Sequence, residues 1–257
     1  MKLENYEVHL PSYSIGETIY DKIGPVCESY GKTVLVIGGE KALEAAYDKI
    51  KAAVDQTNLV IIGKKIFGKD CTYQTVERLR SMKLYQLADM VFGVGGGKAL
   101  DTAKCLCITD DKPVFTFPTI ASNCAAVTLV CVMHNLDRSL AGFHYRKEPA
   151  KHAFINLDII AKAPLEYIWA GIGDAFSKAY EPPFSAQNDC LDHSNMIGVD
   201  LAKHCGEPLM KYAVQAYEDC KNGVASEALE QIVLNILITG GIISGLIETE
   251  KYNGAVP

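Results

Sequence analysis

Met90-Val-Phe-Gly-Val-Gly-Gly-Gly-Lys-Ala-Leu-Asp-Thr-Ala-Lys104 joins an apolar strand to a helix through three consecutive glycines. Glycine has no Cβ, so its backbone N–H groups can approach an anion closely. The new helix directs its unpaired N–H groups and the positive end of its dipole at the same point, and Lys98 adds a full charge. The pattern predicts a pyrophosphate-binding loop, although it matches neither standard nucleotide fingerprint. The alternative is a tight glycine turn that binds nothing.

The bulk composition indicates a globular protein and excludes some classes of partner. The 257 residues are 49% hydrophobic and 22% charged, with a net charge of −6 and no cluster of Lys and Arg, which argues against nucleic acid. The N-terminus lacks the apolar core of a signal peptide. The apolar residues 232–246 are fewer than a membrane-spanning helix requires. Nine scattered cysteines indicate reduced thiols. We therefore expect a cytoplasmic protein that binds neither nucleic acid nor a membrane.

Strand and helix patterns alternate through the first part of the chain. Short apolar runs rich in β-branched and aromatic residues occur at residues 33–37, 59–62, 88–93 and 113–117. Helical patterns lie between the first three runs, and Thr72 is suited to cap one of these helices. This rhythm predicts a mostly parallel sheet covered by helices on both faces. Residues 139–145 alternate like one strand of a hairpin.

The pattern changes near Pro164. Beyond it, residues 191–203 and 226–238 space their apolar side chains for helices, with no strand pattern between them. We therefore predict an α/β protein in two parts. A Rossmann-like, mostly parallel sheet domain spans residues 1–160, and an all-helical region spans residues 161–257.

A loop of small residues, Phe117-Pro-Thr-Ile-Ala-Ser-Asn-Cys-Ala-Ala126, follows a predicted strand. Open α/β sheets bind ligands at the carboxyl ends of their strands. Thr119, Ser122 and Asn123 supply hydroxyl and amide groups suited to a nucleotide, although such residues also populate simple connectors. Cys124 has no base nearby in the sequence, so we do not expect a reactive thiol there.

Asp174 follows two glycines in Ala170-Gly-Ile-Gly-Asp174, at the predicted start of a helix. The pattern favours a helix N-cap, because aspartate accepts hydrogen bonds from the first turn and suits the dipole. A carboxylate metal ligand is the alternative. The six histidines form no local metal-binding motif such as H-E-x-x-H.

Three motifs together carry a family resemblance: Gly95-Gly-Gly-Lys-Ala-Leu-Asp-Thr-Ala-Lys104, Pro118-Thr-Ile-Ala-Ser122 and Ala170-Gly-Ile-Gly-Asp174. In order and spacing they resemble the glycerol dehydrogenase branch of the iron-containing (group III) alcohol dehydrogenases. The resemblance implies a dehydroquinate synthase-like fold, with NAD or NADP on the α/β domain and a divalent metal, zinc or iron, beside the helical domain. It implies hydride transfer to or from a small alcohol, polyol or 2-hydroxy acid, and we expect a homo-oligomer.

The resemblance also implies roles for individual residues. The family's cofactor-binding positions fall on Gly95, Gly96, Gly97, Lys98, Asp101, Thr119, Ser122, Thr128, Val130 and Glu40. The glycines and the lysine would hold the pyrophosphate, and Asp101 would lie near the nicotinamide carboxamide. The threonine and serine of the 118–122 loop would contact the adenosine side, while Thr128 and Val130 would line the nicotinamide pocket. Glu40 would hold ribose hydroxyls.

Asp174 matches the family's aspartate metal ligand, and the resemblance favours this role over the cap. Cys124 stands where glycerol dehydrogenases carry an aspartate near the substrate, which is more similar to a subgroup that reduces 2-oxo acids. Both metal-ligating histidines of the family would follow Pro257. We therefore expect a truncated chain whose metal-dependent activity is impaired, because catalytic metal sites use about three protein ligands.

Two alternatives remain. The first is a catalytically silent nucleotide-binding or interaction module that keeps the cofactor loop. The second is the related dehydroquinate synthase superfamily. That superfamily uses a different set of Lys, Arg and His residues around a phosphate-bearing sugar acid, and this sequence does not show that set.

Overall fold

A parallel β-sheet forms the centre of the computed structural model, which describes residues 7–252. The strands are β1 (Tyr13–Gly16), β2 (Thr33–Gly38), β3 (Val60–Ile66), β4 (Met90–Gly95), β5 (Val114–Pro118), β6 (Val130–His134), β7 (Leu140–Tyr145) and β8 (His152–Asn156). Six of them pair in the order β1-β8-β5-β4-β2-β3, and every pair in this sheet is parallel. The other two, β6 and β7, form an antiparallel hairpin. The predicted parallel sheet and hairpin are confirmed.

Helices cover the sheet and make up the rest of the described chain. They are α1 (Ile23–Cys27), α2 (Glu40–Val54), α3 (Tyr73–Arg80), α4 (Lys83–Leu87), α5 (Gly97–Leu106), α6 (Leu157–Ala161), α7 (Leu165–Lys178), α8 (Glu181–Ser185), α9 (His193–His204), α10 (Gly206–Lys221), α11 (Glu227–Val233), α12 (Gly240–Leu246) and α13 (Thr249–Tyr252). A π-helical segment, Leu234–Thr239, joins α11 to α12. Thr72 caps α3 by accepting a hydrogen bond from the Thr75 amide, as predicted.

The sheet topology brings the carboxyl ends of three strands together at one edge of the sheet. Strands β2, β4 and β5 are neighbours and parallel, so their carboxyl ends lie side by side. A Cβ on Gly38 would lie 2.6 Å from the Val94 carbonyl oxygen, so only glycine allows β2 to end this close to β4. The Gly39 amide then donates to the same carbonyl at 3.3 Å. The start of α2 is thereby held beside the glycine loop.

The helices after β8 pack on the sheet through a shared apolar core. One buried cluster joins Leu100, Ala121 and Ile155 of the α/β part to Ile232 and Ile236 of the helical part. Within residues 7–252, the strands all precede residue 157 and only helices follow. The predicted domain boundary near residue 160 therefore falls at the change from strands to helices, and it stays a prediction.

The length argument about residues 232–246 is wrong. Glu227–Leu246 forms one continuous helical run of 20 residues, which is long and apolar enough to cross a membrane. The run reads as shorter in the sequence because Glu227 and Glu230 lie in its first turn. Its apolar side chains pack in the core cluster, where Ile232 and Ile236 are fully buried. The expectation that the chain binds no membrane stays a prediction.

The cap interpretation of Asp174 is also wrong. Helix α7 begins at Leu165 after Pro164, so Asp174 lies in the helix interior. Gly171 and Gly173, which suggested a helix start, are interior residues too. A Cβ on Gly171 would lie 2.0 Å from the Ala121 carbonyl oxygen. Close packing against this loop, rather than a turn, therefore requires the glycine.

Alanine substitutions at the two glycines of α7 should change the free energy of unfolding in opposite directions. Gly171→Ala should lower the free energy of unfolding by about 1–3 kcal/mol, because the new methyl group collides with backbone. Gly173→Ala should raise it by about 0.8–1 kcal/mol, since this exposed position has nothing within 4 Å of an added Cβ. Urea denaturation of both variants measures the difference. Equal stabilities would show that α7 does not approach the Ala121 loop this closely.

Candidate functional site

The glycine loop presents free backbone amides at the start of α5. Gly95 has φ +142°, a conformation that favours glycine. Gly96 is the N-cap of α5, and no side chain from the described part of the chain caps this helix. The Ala99 and Leu100 amides bond to the Gly96 carbonyl at 3.0 and 3.1 Å. The amides of Gly97 and Lys98 lie in the first turn, where a helix provides no internal acceptor. The geometry suits an anion.

The loop of small residues packs directly on the glycines, so the structure brings the two predicted loops together. The Thr119 amide donates to the Gly95 carbonyl at 3.2 Å. An added Cβ on Gly96 would lie 2.4 Å from Cδ1 of Ile120, and one on Gly97 would lie 2.8 Å from Nδ2 of Asn123. Side chains at both positions would therefore displace this loop.

Lys98 already has a carboxylate partner. Its ammonium pairs with Asp70, which also lies 3.5 Å from the Arg138 guanidinium. The hydrogen bond from Lys98 holds the pKa of Asp70 below its usual value. The predicted phosphate-binding cation is thus shared with a carboxylate that the sequence analysis did not identify. The amides of Gly97 and Lys98, by contrast, have no acceptor within residues 7–252.

A cavity of about 410 Å³ lies beside the glycine loop. Its lining includes Asp101, Asn123, Cys124, Thr128, Val130, Asp174, Lys178 and Ser244. Five residues assigned by resemblance therefore meet in one place, contributed by α5, the small-residue loop, the start of the hairpin and α7. We call this the first cavity.

A buried ion pair fixes one wall of the first cavity. Lys104 is fully buried, and its ammonium lies 3.0 Å from the Asp101 carboxylate. It also donates to the carbonyl oxygens of Thr128 and Val130, at 3.1 and 2.7 Å. Burial is the largest single influence and lowers the pKa of Lys104, but the charge and hydrogen bond of Asp101, together with smaller contributions from Cys131 and Cys124, outweigh it, so the pKa is raised. The second Asp101 oxygen accepts from the Val132 amide at 3.2 Å, so the pair joins α5 to the hairpin.

Helix α7 contributes a carboxylate and an ammonium, Asp174 and Lys178, to the wall of the first cavity. Oδ2 of Asp174 is buried and receives no hydrogen bond from residues 7–252. Burial raises the pKa of Asp174, while the nearby Lys178 charge opposes the rise. Lys178 lies one helical turn later and is buried as well. Burial also raises the pKa of the Cys124 thiol, whose sulfur lies 3.9 Å from the Ser244 hydroxyl.

The described part of the chain does not complete a metal site. Asp174 offers a buried oxygen without a partner, which suits a metal ligand. However, residues 7–252 contain no group of three or more His, Cys, Asp or Glu side chains placed to hold a metal ion. A catalytic zinc site needs about three protein ligands. Asp174 therefore offers one suitable ligand, but the described residues alone do not complete the divalent metal site that the resemblance implies.

A second cavity, of about 590 Å³, lies on the other side of the glycine loop. Its lining includes Lys41, Lys49, Gly96, Thr119, Ile120, Asp158, Lys162 and Tyr167. Gly96 and Thr119 therefore line this cavity, and the predicted adenosine-side role of Thr119 stays a prediction. Ser122 lines neither cavity. Glu40 lines a separate pocket with Lys64 and Lys65, so the structure does not bring it to the second cavity.

Some of the cavity residues were missed from the sequence. Lys178 carried a usable signal, because it lies four residues after Asp174 and i,i+4 side chains share a helix face. Lys104 lies three residues after Asp101 in the predicted helix, which also allows contact. Ser244 carried no such signal, since it reaches Cys124 only through the packing of α12 against a loop 120 residues earlier.

Comparison with known proteins places this geometry in a family. The model of the iron-containing alcohol dehydrogenases matches residues 11–155. Glycerol dehydrogenase of Thermotoga maritima is 33% identical over 192 residues, which cover 72% of this chain and 52% of that protein. Hydroxycarboxylate dehydrogenase A of Escherichia coli K12 is 30% identical over 211 residues, covering 82% and 57%. The crystal structure of glycerol dehydrogenase from Schizosaccharomyces pombe superposes with a TM-score of 0.82 at 24% identity, covering 93% and 62%.

These similarities agree with the sheet order, the glycine loop and the helices that follow. The chain spans little more than half the length of the two curated relatives just described. The family model matches more than half of the chain, including all six strands of the parallel sheet except the last residue of β8. The fold implied by the three sequence motifs is confirmed, and the chain belongs to the iron-containing alcohol dehydrogenase family.

Proposed function

We propose that this chain binds NAD or NADP for an oxidoreductase that transfers hydride to or from a small alcohol, polyol or 2-hydroxy acid. One observation carries the proposal: the glycine loop lines the second cavity and packs against a residue that lines the first. Gly96 lines the second cavity, while Asn123, which packs on Gly97, lines the first. A dinucleotide has two halves joined by a pyrophosphate, and this arrangement matches its shape.

In this proposal each part of the site has a separate task. The amides of Gly97 and Lys98, together with the α5 dipole, hold the pyrophosphate. The second cavity takes the adenosine, and the first takes the nicotinamide against Thr128 and Val130. The buried Lys104–Asp101 pair keeps that wall in position. When bound, the cofactor supplies or accepts hydride at its nicotinamide ring, while the protein orients the reactants and excludes water.

We also propose where the substrate and a metal ion would bind, and where the protein works. The substrate is a small molecule that lies beside Cys124 in the first cavity. Asp174 would contribute one ligand to a zinc or iron ion, and the remaining ligands would have to come from outside residues 7–252. We also propose that the protein works in the cytoplasm as a homo-oligomer and engages neither nucleic acid nor a membrane. Two relatives are named as a glycerol dehydrogenase and a hydroxycarboxylate dehydrogenase, and these names support an oxidoreductase that acts on a small alcohol or hydroxy acid.

A nucleotide titration tests the proposal. The fluorescence of NADH or NADPH should rise as the purified chain binds it. Gly96→Ala should weaken binding by about tenfold or more, because its methyl group would collide with Ile120 in the wall of the second cavity and disturb the adjoining amides that donate to a charged ligand. Gly173→Ala is the matched control, since its methyl group points to open space and should leave the affinity unchanged. Equal affinity of Gly96→Ala and wild type would contradict the proposal.

A catalytically silent nucleotide-binding module is the second candidate. The observation that favours it is the lack of a three-ligand metal group within the described range. This candidate predicts the same nucleotide binding, with no oxidation of NAD(P)H when a carbonyl substrate and Zn²⁺ or Fe²⁺ are added. Turnover that depends on the added metal would support the enzyme and exclude the silent module.

A further inference from the structure

Lys178 places an unpaired positive charge inside the first cavity. Its side chain is only 6% exposed and lines the cavity wall with Asp174 and Cys124. It takes part in no hydrogen bond or ion pair with residues 7–252, although its charge acts on Asp174 from a longer distance. In the proposed nucleotide site, the Lys178 ammonium does not contact the cofactor.

The Lys178 residue is mostly buried, and its ammonium has no close partner among the described residues. A charge held largely away from bulk water is unfavourable unless another group compensates for it. Cys124 does not compensate, because burial keeps its thiol protonated by raising its pKa. Asp174 compensates only in part, since its Oδ2 atom receives no hydrogen bond. The ammonium therefore keeps donors that can serve a bound anion.

The surrounding helices hold the lysine in place. Helix α12 crosses Lys178 at Gly240, where an added Cβ would lie 3.4 Å from Cε of the lysine and 3.5 Å from Cβ of Cys124. Ser244, one turn later in the same helix, lines the cavity beside Cys124. The Lys178 side chain thus lies beside Cys124 and α12 and lines the same cavity as Thr128.

We propose that Lys178 binds the carboxylate of the substrate, so the reaction uses a 2-oxo acid and its 2-hydroxy acid and not a neutral polyol. The assignment rests on the proposed function. In a 2-oxo acid the carboxylate is bonded directly to the reacting carbonyl carbon. An ammonium that holds the carboxylate therefore also fixes the carbonyl beside the nicotinamide wall. Charge-assisted hydrogen bonds of this kind are stronger than neutral ones, and a polyol would leave the ammonium without an anion.

Ligand binding to the chain saturated with NADPH tests the assignment. The fluorescence of bound NADPH reports titrations with 2-oxobutyrate, with 1-hydroxy-2-butanone as its neutral counterpart, and with butyrate. The wild type should bind 2-oxobutyrate at least about tenfold more tightly than the neutral ketone, and butyrate should compete with 2-oxobutyrate. Comparable affinity for the acid and the neutral ketone would overturn the assignment without the use of any variant.

Two variants separate charge from packing. Lys178→Met keeps a long apolar stem, and it should remove the preference for the acid while leaving NADPH affinity unchanged. Lys178→Arg retains the charge and should keep part of the preference. If Lys178→Met binds 2-oxobutyrate as the wild type does, the assignment is wrong although the proposed function stands. If the wild type binds neither NADH nor NADPH, the proposed function fails and the assignment fails with it.

Discussion

Asp101→Ala should lower the free energy of unfolding by about 3–5 kcal/mol, one of the largest effects expected for a single substitution in this chain. The change leaves the fully buried Lys104 ammonium with neutral acceptors only. It also removes the acceptor for the Val132 amide. Both losses act at the junction of α5 and the hairpin, so we expect the nicotinamide wall to move and nucleotide affinity to fall.

The matched control is an exposed ion pair of the same kind. Asp55→Ala breaks the Lys51–Asp55 pair on the surface of α2, and exposed pairs contribute about 0–1 kcal/mol. Chemical denaturation at neutral pH measures both variants. The raised pKa of Lys104 means that its pair with Asp101 stabilises the fold below the ordinary lysine pKa and is lost as pH rises through the folded value. Neutral pH therefore reports the full effect. A similarly small loss for both variants would show that the buried pair is not formed.

Gly95→Ala should damage both the fold and nucleotide binding. Gly95 combines φ +142° with close packing, because an added Cβ would lie 2.9 Å from the Ala99 Cβ. Backbone strain costs about 1–3 kcal/mol, and the forced contact adds about 1–3 kcal/mol. Relief of that contact requires movement of the first turn of α5, which presents the free amides. We therefore expect nucleotide binding to fall below detection.

A substitution at Gly142 separates the effect of backbone strain from the effect of the close contact. It has nearly the same φ, +144°, but nothing lies within 4 Å of an added Cβ. Gly142→Ala should therefore show the strain alone and leave nucleotide affinity near the wild-type value. Thermal unfolding and NADPH titration of both variants give the comparison. Retained binding in Gly95→Ala would mean that the geometry of this loop does not govern the site.

Much of the site could be predicted from the sequence because its signals are local. Three adjacent glycines between a strand and a helix favour a tight turn in which the backbone can be approached closely. The resemblance then placed Asp101, Cys124, Thr128, Val130 and Asp174 together, and these residues line one cavity. Their assigned roles stay predictions, but their meeting in one place is a property of the fold.

The features that were missed depend on packing between distant segments. Gly171 and Gly173 read as a helix start because glycine is unfavourable inside helices, yet Gly171 is required by the closeness of the Ala121 carbonyl. The partner of Lys98 is Asp70, on a loop 28 residues earlier. The contact between α12 and Lys178 joins segments that no local pattern relates. Amino-acid composition and motif spacing do not show which distant segments of the chain come into contact.

The most direct test of the central claim is a crystal structure of the chain with bound NAD or NADP. The account predicts that the pyrophosphate oxygens accept hydrogen bonds from the amides at the start of α5, with the adenosine in the second cavity and the nicotinamide beside Thr128. A nucleotide bound elsewhere on the protein, with the amides of Gly97 and Lys98 facing solvent, would contradict it.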